Sequence, residues 1–293
     1  VVTTERSPNS LLLIVGGDSD PNTQRLVDQA HLRDLNYRFW DTDSPTALRI
    51  AWDFESPTIE LDGDSLQPAA VFLRYNVFAG DPARNLAAFD TVQSYCLAWP
   101  QLRMLNRLSA TDANNKCRNL RWAREAGLAI PQTLVMADLT PLRSMPAADE
   151  HVIKPLVGGA HTQAVSDIHS DLQTLASLPP QFVQNRLRGE NLRLFWIGDQ
   201  PFCFHLQSDA LDYREDDRVQ VRPLEPPAEL LAPALQLVQR IGFDYCALDF
   251  RCTQGWEQPV FLEVNSFPMF VRFDDASENR LVDAILNLLI ACR

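Results

Sequence analysis

Lysine is nearly missing from this chain. Of 26 basic residues only Lys116 and Lys154 are lysines, and the remaining 24 are arginines. Two readings stay open: a compositional bias, or a need for a compact point charge at those two positions. No apolar run approaches the ~20 residues of a membrane helix, so no membrane partner is expected. No basic run is present and the formal net charge is −12, which argues against a nucleic-acid partner. The opening VVTTERSPNS lacks the basic end and apolar stretch of a secretory signal, which predicts a cytoplasmic protein. Six cysteines (96, 117, 203, 246, 252, 292) show no close paired spacing and read as reduced, mostly buried thiols. The five histidines are scattered and form no Ser/His/Asp set, and no internal repeat is visible.

What is present describes a soluble α/β protein. Hydrophobic residues make up 46% and charged residues 22%, and 293 residues are enough for two or three lobes. LLLIV (11–15) followed by turn formers reads as a buried strand leading into a helix. Short strands follow in YRFWDT, LRIAWDF, TIELDG and AAVFLRY, then a helix from Pro82 to about Trp99. Ser109 or Thr111 can cap a helix that Gly127 stops. Strands dominate after 181, with helices expected at about 228–241 and 278–291. Arg74 ends a buried strand of the first lobe, where open α/β sheets face their ligands, and is a candidate for a substrate carboxylate.

The strand PVFLEVN (259–265) carries the sharpest signal. Alternation puts Phe261, Glu263 and Asn265 on one face and Val260, Leu262 and Val264 on the other. Upstream, YCALDFRC places Ala247, Asp249 and Arg251 on one face. Gly255 and Pro259 in the connector predict a hairpin that sets Asp249 opposite Glu263. Two carboxylates and an amide, with no sulfur or imidazole, suit Mg²⁺ sharing nucleotide phosphates. The other reading of the same residues is a solvated strand face. Lys154 lies in VIKP, directly before the glycine loop LVGGAHT with Gly158 and Gly159, an arrangement that can neutralise and approach phosphate.

The ordered set Lys116, VIKP with its glycine loop, FVQNRLRGENLRLFWIGDQ, CALDF and FLEVN resembles the ATP-grasp carboxylate–amine ligases over about 106–293, with a looser match in 1–105. That resemblance implies the ATP-grasp fold in three lobes. These are an N-terminal open α/β substrate lobe at 1–105, a central lid lobe at 106–183, and a C-terminal mixed-sheet lobe with the metal site at 184–293. It further implies ATP and two Mg²⁺ ions, replaceable by Mn²⁺. On this likeness Lys116, Lys154, Gly158 and Gly159 meet phosphates, and Gln184 and Leu187 meet adenine. Glu190 and Asn191 stand where relatives hold the ribose, Arg193 steadies phosphate or acyl phosphate, and Asp249, Glu263 and Asn265 bind metal. SDPNTQRLVDQAHLRDLNYRFWDTD and FHLQSDALDYREDD look like the graspetide, or microviridin-type, peptide ligases, with Asp212 and Arg214 near substrate and Arg214 catalytic. The ending SFPMFVRFD looks closer to ribosomal-protein glutamate ligases, and Arg272 in it is a further substrate candidate.

The implied activity is ligation of a carboxylate to an amine or hydroxyl through an acyl phosphate, with release of ADP and phosphate. The expected substrate is a peptide or amino acid, with a precursor or carrier peptide as partner and a homodimer as the assembly. The alternatives are a small-molecule amino-acid ligase and a non-catalytic nucleotide- or peptide-binding scaffold.

Overall fold

The computed structural model describes residues 10–44, 46, 48–112, 114–144, 150–156, 162–168, 179–208, 218–253 and 258–291. In chain order the elements are β1 (Leu12–Gly16), α1 (Pro21–Leu32), β2 (Tyr37–Asp41), β3 (Ile50–Trp52), β4 (Ile59–Leu61), β5 (Asp64–Leu66) and β6 (Ala70–Leu73). There follow α2 (Pro82–Ala98), β7 (Arg103–Met104), α3 (Lys116–Glu125), β8 (Thr133–Met136), β9 (His151–Pro155), β10 (Gln163–Ala164), α4 (Val165–Ile168) and β11 (Gln181–Asn185). The last third holds β12 (Glu190–Ile197), β13 (Gln200–Gln207), β14 (Gln220–Leu224), α5 (Ala228–Ile241), β15 (Tyr245–Thr253), β16 (Gln258–Asn265), α6 (Val271–Ala276) and α7 (Arg280–Ile290).

Three larger sheets organise the chain. The first is parallel, in the order β2-β1-β6-β7. Its central strands are continuous apolar runs because both faces are covered: Leu13, Val15 and Val71 pack towards α2, and Leu12, Ile14 and Phe72 towards α1 and α7. A small sheet β3-β4-β5 flanks it. The second sheet is antiparallel, β10-β9-β11-β8, and the third is β14-β13-β12-β15-β16. One face of this third sheet packs on α3 and α5 through Leu194, Leu248, Leu120 and Leu237. The other packs on α6, α7 and the first sheet through Phe195, Phe204, Phe273 and Ile285.

The helices at 82–98 and 228–241 appear as expected, started by Asp81 and stopped by Gly242 at φ 86°. Helix α3 begins later than the sequence implies. Asn115 caps it through Arg118 N, whereas Arg107–Ser109 form a 3₁₀ turn. The Arg107 guanidinium holds that turn by donating to the carbonyls of Cys96, Trp99 and Leu102, a tertiary cause invisible in local sequence. Helix α3 packs on the third sheet, and β11 runs on to Asn185 within the second.

Candidate active site

The hairpin β15–β16 sets the site. Asp249 lies opposite Glu263, as alternation and connector length predict, but a β-bulge follows between Asp249 and Phe250. Leu262 is the extra residue. The expected shared face of Phe261, Glu263 and Asn265 is therefore corrected. Phe261 is fully buried on the helix-covered side, edge-to-face on Phe250 at 5.8 Å, together with Val264. Leu262, Glu263 and Asn265 line a cavity of about 840 Å³ on the other side. The bulge lets a strand with a phenylalanine core contact present two consecutive cavity residues.

Around these residues the charges interlock. Arg193 on β12 faces Asp249 across the ladder and its Nη1 donates to both carboxylate oxygens at 3.2 and 3.4 Å. The guanidinium also lies over the rings of Phe195 and Phe273, at 5.3 and 5.2 Å from their centroids. Asn265 Nδ2 donates to Asp249 Oδ2 at 2.9 Å, which turns its Oδ1 away as a free oxygen donor. Lys154, carried on β9 of the second sheet, donates to Glu263 Oε2. Lys116, the first residue of α3, lies 3.7 Å from the same oxygen.

This donor set fits Mg²⁺. Asp249, Glu263 and Asn265 offer hard oxygens on one wall, and ammonium and guanidinium groups already stand against both carboxylates, so the wall is built to face cations. Among the described residues no three His, Cys, Asp or Glu groups converge, so two carboxylates and an amide leave coordination positions for water and phosphate.

Other expected residues fall in several places. Asn191 lines the cavity, is 4% exposed, and its Nδ2 is buried without a hydrogen-bond partner. Glu190 points to the opposite face of β12, where its carboxylate meets His205 Nε2 at 2.7 Å. Gln184 is buried on β11 with its Nε2 on Thr133 Oγ1 at 2.9 Å, and Leu187 follows in the connection to β12. That connection is pressed onto β15 at Gly189, where φ is 142° and any Cβ would lie 1.9 Å from Cys252 O. Arg272 is exposed at the cavity wall. Arg74 is not in the lining. It is 6% exposed, paired with the fully buried Asp20, and its Nη1 donates to Phe267 O at 3.0 Å. Gly158, Gly159, Asp212, Arg214 and Gly255 lie outside the described residues.

The cavity contains residues that sequence reasoning did not single out. Arg251, two residues beyond Asp249 on the same face, was legible from alternation. Pro21 and Asn22 at the start of α1, and Phe267, Pro268, Met269 and Val271 after β16, lie in stretches that carried a family likeness but no assigned site role. The 267–271 wall is fixed by side chains: Asn22 Oδ1 accepts from Phe270 N at 2.7 Å and Val271 N at 3.3 Å, and Tyr245 Oη donates to Pro268 O at 3.3 Å. Burial pushes the Tyr245 phenol up, so it stays a hydroxyl donor at neutral pH.

No protein-family model matches the sequence, and no curated protein matches it. Solved structures do. The Chryseobacterium gregarium RiPP-associated ATP-grasp ligase, in complex with ADP and a leader and core peptide, superposes with a TM-score of 0.77 at 22% identity over 96% of each chain. The macrocyclase MdnC from Microcystis aeruginosa, bound with precursor peptide MdnA, gives 0.73 at 21% identity, covering 96% of this chain and 99% of its own. The ATP-grasp ligase PsnB, complexed with minimal precursor, Mg and ADP, gives 0.73 at 22% identity, covering 96% and 98%. The fold is the ATP-grasp fold, in line with the likeness drawn from the motifs.

Proposed function

We propose that this chain is an ATP- and Mg²⁺-dependent ligase that activates a carboxylate as an acyl phosphate and joins it to an amine or hydroxyl of a peptide. One observation carries the reading. Asp249, Glu263 and Asn265 from one sheet, Lys154 from another and Lys116 from a helix start converge at one cavity edge. The peptide complexes of the three structural relatives support a precursor peptide as partner. No helix among the described residues is long and apolar enough to cross a membrane, and we place the reaction in the cytoplasm.

A carboxylate is a poor electrophile at neutral pH. Attack of its oxygen on the γ-phosphorus of ATP forms the acyl phosphate and releases ADP. An amine or hydroxyl then attacks the acyl carbon, loses its proton, and expels phosphate. Such phosphoryl transfer needs positioning and charge neutralisation above all. Asp249, Glu263 and Asn265 hold Mg²⁺, which when bound neutralises phosphate charge and aligns the transferred group. Lys116, Lys154 and the Gly158–Gly159 loop take phosphate oxygens, Arg193 steadies the acyl phosphate, and the Gln184–Leu187 segment takes adenine between the lobes at 106–183 and 184–293. Asn191, with a buried Nδ2 lacking an acceptor, donates to the nucleotide. Arg272 and Arg214 receive substrate carboxylate.

Calorimetry with Mg²⁺ and AMPPNP tests the nucleotide half, and ADP release with mass spectrometry on candidate precursor peptides tests the ligase half. Loss of one water per bond formed is the expected product signature. A chain that binds no Mg–nucleotide is not this enzyme.

A further inference from the structure

Asn106 lies outside the cavity lining, between β7 and the 3₁₀ turn, with a left-handed φ of 53° and 2% exposure. Its side-chain amide is fully used. Nδ2 donates to Tyr245 O at 2.7 Å and to Ser266 O at 2.6 Å, while Oδ1 accepts from Asp244 N at 3.0 Å and Tyr245 N at 2.9 Å. One side chain thus ties the first residue of β15 to the residue directly after β16. Ala247–Asn265 is the last ladder pair between these strands, and Asn106 closes the hairpin beyond it. The same two strands carry Asp249, Glu263 and Asn265.

Ser266 extends the link. It is 6% exposed, and its Oγ bonds to Asn114 Oδ1 at 3.1 Å. The next residue, Asn115, caps α3 through Arg118 N at 3.0 Å, and α3 opens with Lys116. The chain of contacts therefore runs from the hairpin end that fixes Asn265 to the helix start that presents Lys116 to Glu263.

We propose that Asn106 and Ser266 are positioning residues for the Mg²⁺–nucleotide site: they set the spacing of Asn265 against Asp249 and of Lys116 against Glu263. The inference rests on the nucleotide reading above. Metal oxygens must be held within fractions of an ångström, and outer groups that orient them govern metal affinity without touching the ion. A buried asparagine serving the fold alone would move stability and leave metal linkage unchanged.

The test is the gain in AMPPNP affinity produced by Mg²⁺, measured by calorimetry on the full chain in Mg²⁺ and in EDTA. Asn106→Gly keeps access to the left-handed backbone while removing the amide. The Mg–AMPPNP Kd is expected to rise about tenfold in this variant, the lower end for groups that orient metal ligands, with the EDTA value within about twofold of wild type. Ser266→Ala should lose part of the gain and Ser266→Thr should restore it. A lowered melting temperature with a wild-type Mg²⁺ gain overturns the inference. If Asn106→Gly does not fold, Ser266→Ala decides: an unchanged gain in it sinks the proposal. A wild-type chain whose affinity ignores Mg²⁺ removes the nucleotide reading and this inference with it.

Discussion

Lys154 and Glu263, 109 residues apart in sequence, form an ion pair that joins the second sheet to the third. Lys116 approaches the same carboxylate oxygen, so the only two lysines of the chain meet at one atom. Both lysines thus stand where a compact ammonium fits beside a carboxylate, and where a planar fork would compete with its neighbour. On the proposed function, phosphate oxygens would offer both lysines new partners and leave Glu263 to the metal. A charge-assisted hydrogen bond contributes about 1.5–3 kcal/mol, so Lys154→Ala should weaken Mg–AMPPNP binding by roughly 10- to 100-fold. Lys154→Arg should lose less. Equal Kd values for wild type and Lys154→Ala in calorimetry would refute the phosphate role.

Glu263→Gln keeps the shape and removes the charge. Crowded acids in the sequence alone predict relief of repulsion on this change, but the structure surrounds Glu263 and Asp249 with Lys154, Lys116 and Arg193. The variant instead leaves two ammonium groups facing a neutral amide, and urea melts should show a loss of about 0.5–1 kcal/mol after solvent screening. ADP release should fall by about 100-fold or more, the scale of removing a preorganised electrostatic group. Wild-type turnover with altered stability would reduce Glu263 to a structural residue.

The hairpin pairing of Asp249 with Glu263 was legible because strand alternation and a short Gly/Pro connector leave few registers. The bulge at Leu262 was not, since one inserted residue has no composition of its own and Phe261 is apolar enough for either face. Helix α6, six residues long, is too short to show a period. The partner of Arg74 was hidden for a related reason. A cation at the end of a parallel strand reads as ligand-facing, and its partner Asp20 lies 54 residues away at the cap of α1. The motif residues carried the wall with Asp249, Glu263 and Asn265; the wall at 267–271 depends on contacts from Asn22, Arg74 and Tyr245 that only tertiary structure brings together.

The buried pairing with Asp20 gives Arg74 a stability prediction. Asp20 is fully buried, so Arg74→Ala strands a charge in the interior, which typically costs about 3–5 kcal/mol. Urea denaturation should show a loss of this size. The double change Asp20→Asn with Arg74→Met keeps an α1 cap and leaves no buried charge, and should regain most of the stability. A single Arg74→Ala variant as stable as wild type would return this arginine to the list of substrate contacts.

Acid pH provides an independent check on the first sheet. Desolvation pushes the Asp43 carboxyl up, but hydrogen bonds from Ser19 and Asn76 and the charge of Arg84 outweigh it and hold the group below its ordinary 3.8. A carboxyl that is more acidic folded than unfolded contributes stability above the unfolded value, and loses it as pH falls through the folded one. Asp274 runs the other way: desolvation outweighs its bonds from Val282, Arg25 and Leu281 and raises it, so its burial becomes less unfavourable as pH falls. The two trends oppose, and a melting curve of the wild type alone cannot separate them. The difference between wild type and Asp43→Asn can, because the Asp274 contribution cancels in it. Wild type should melt higher than Asp43→Asn at pH 6. The gap should narrow as pH drops below about 3.8 and close once Asp43 is protonated in the folded state as well. A gap that stays constant from pH 6 to strongly acid solution would mean that the Ser19 and Asn76 contacts do not favour the ionised carboxylate.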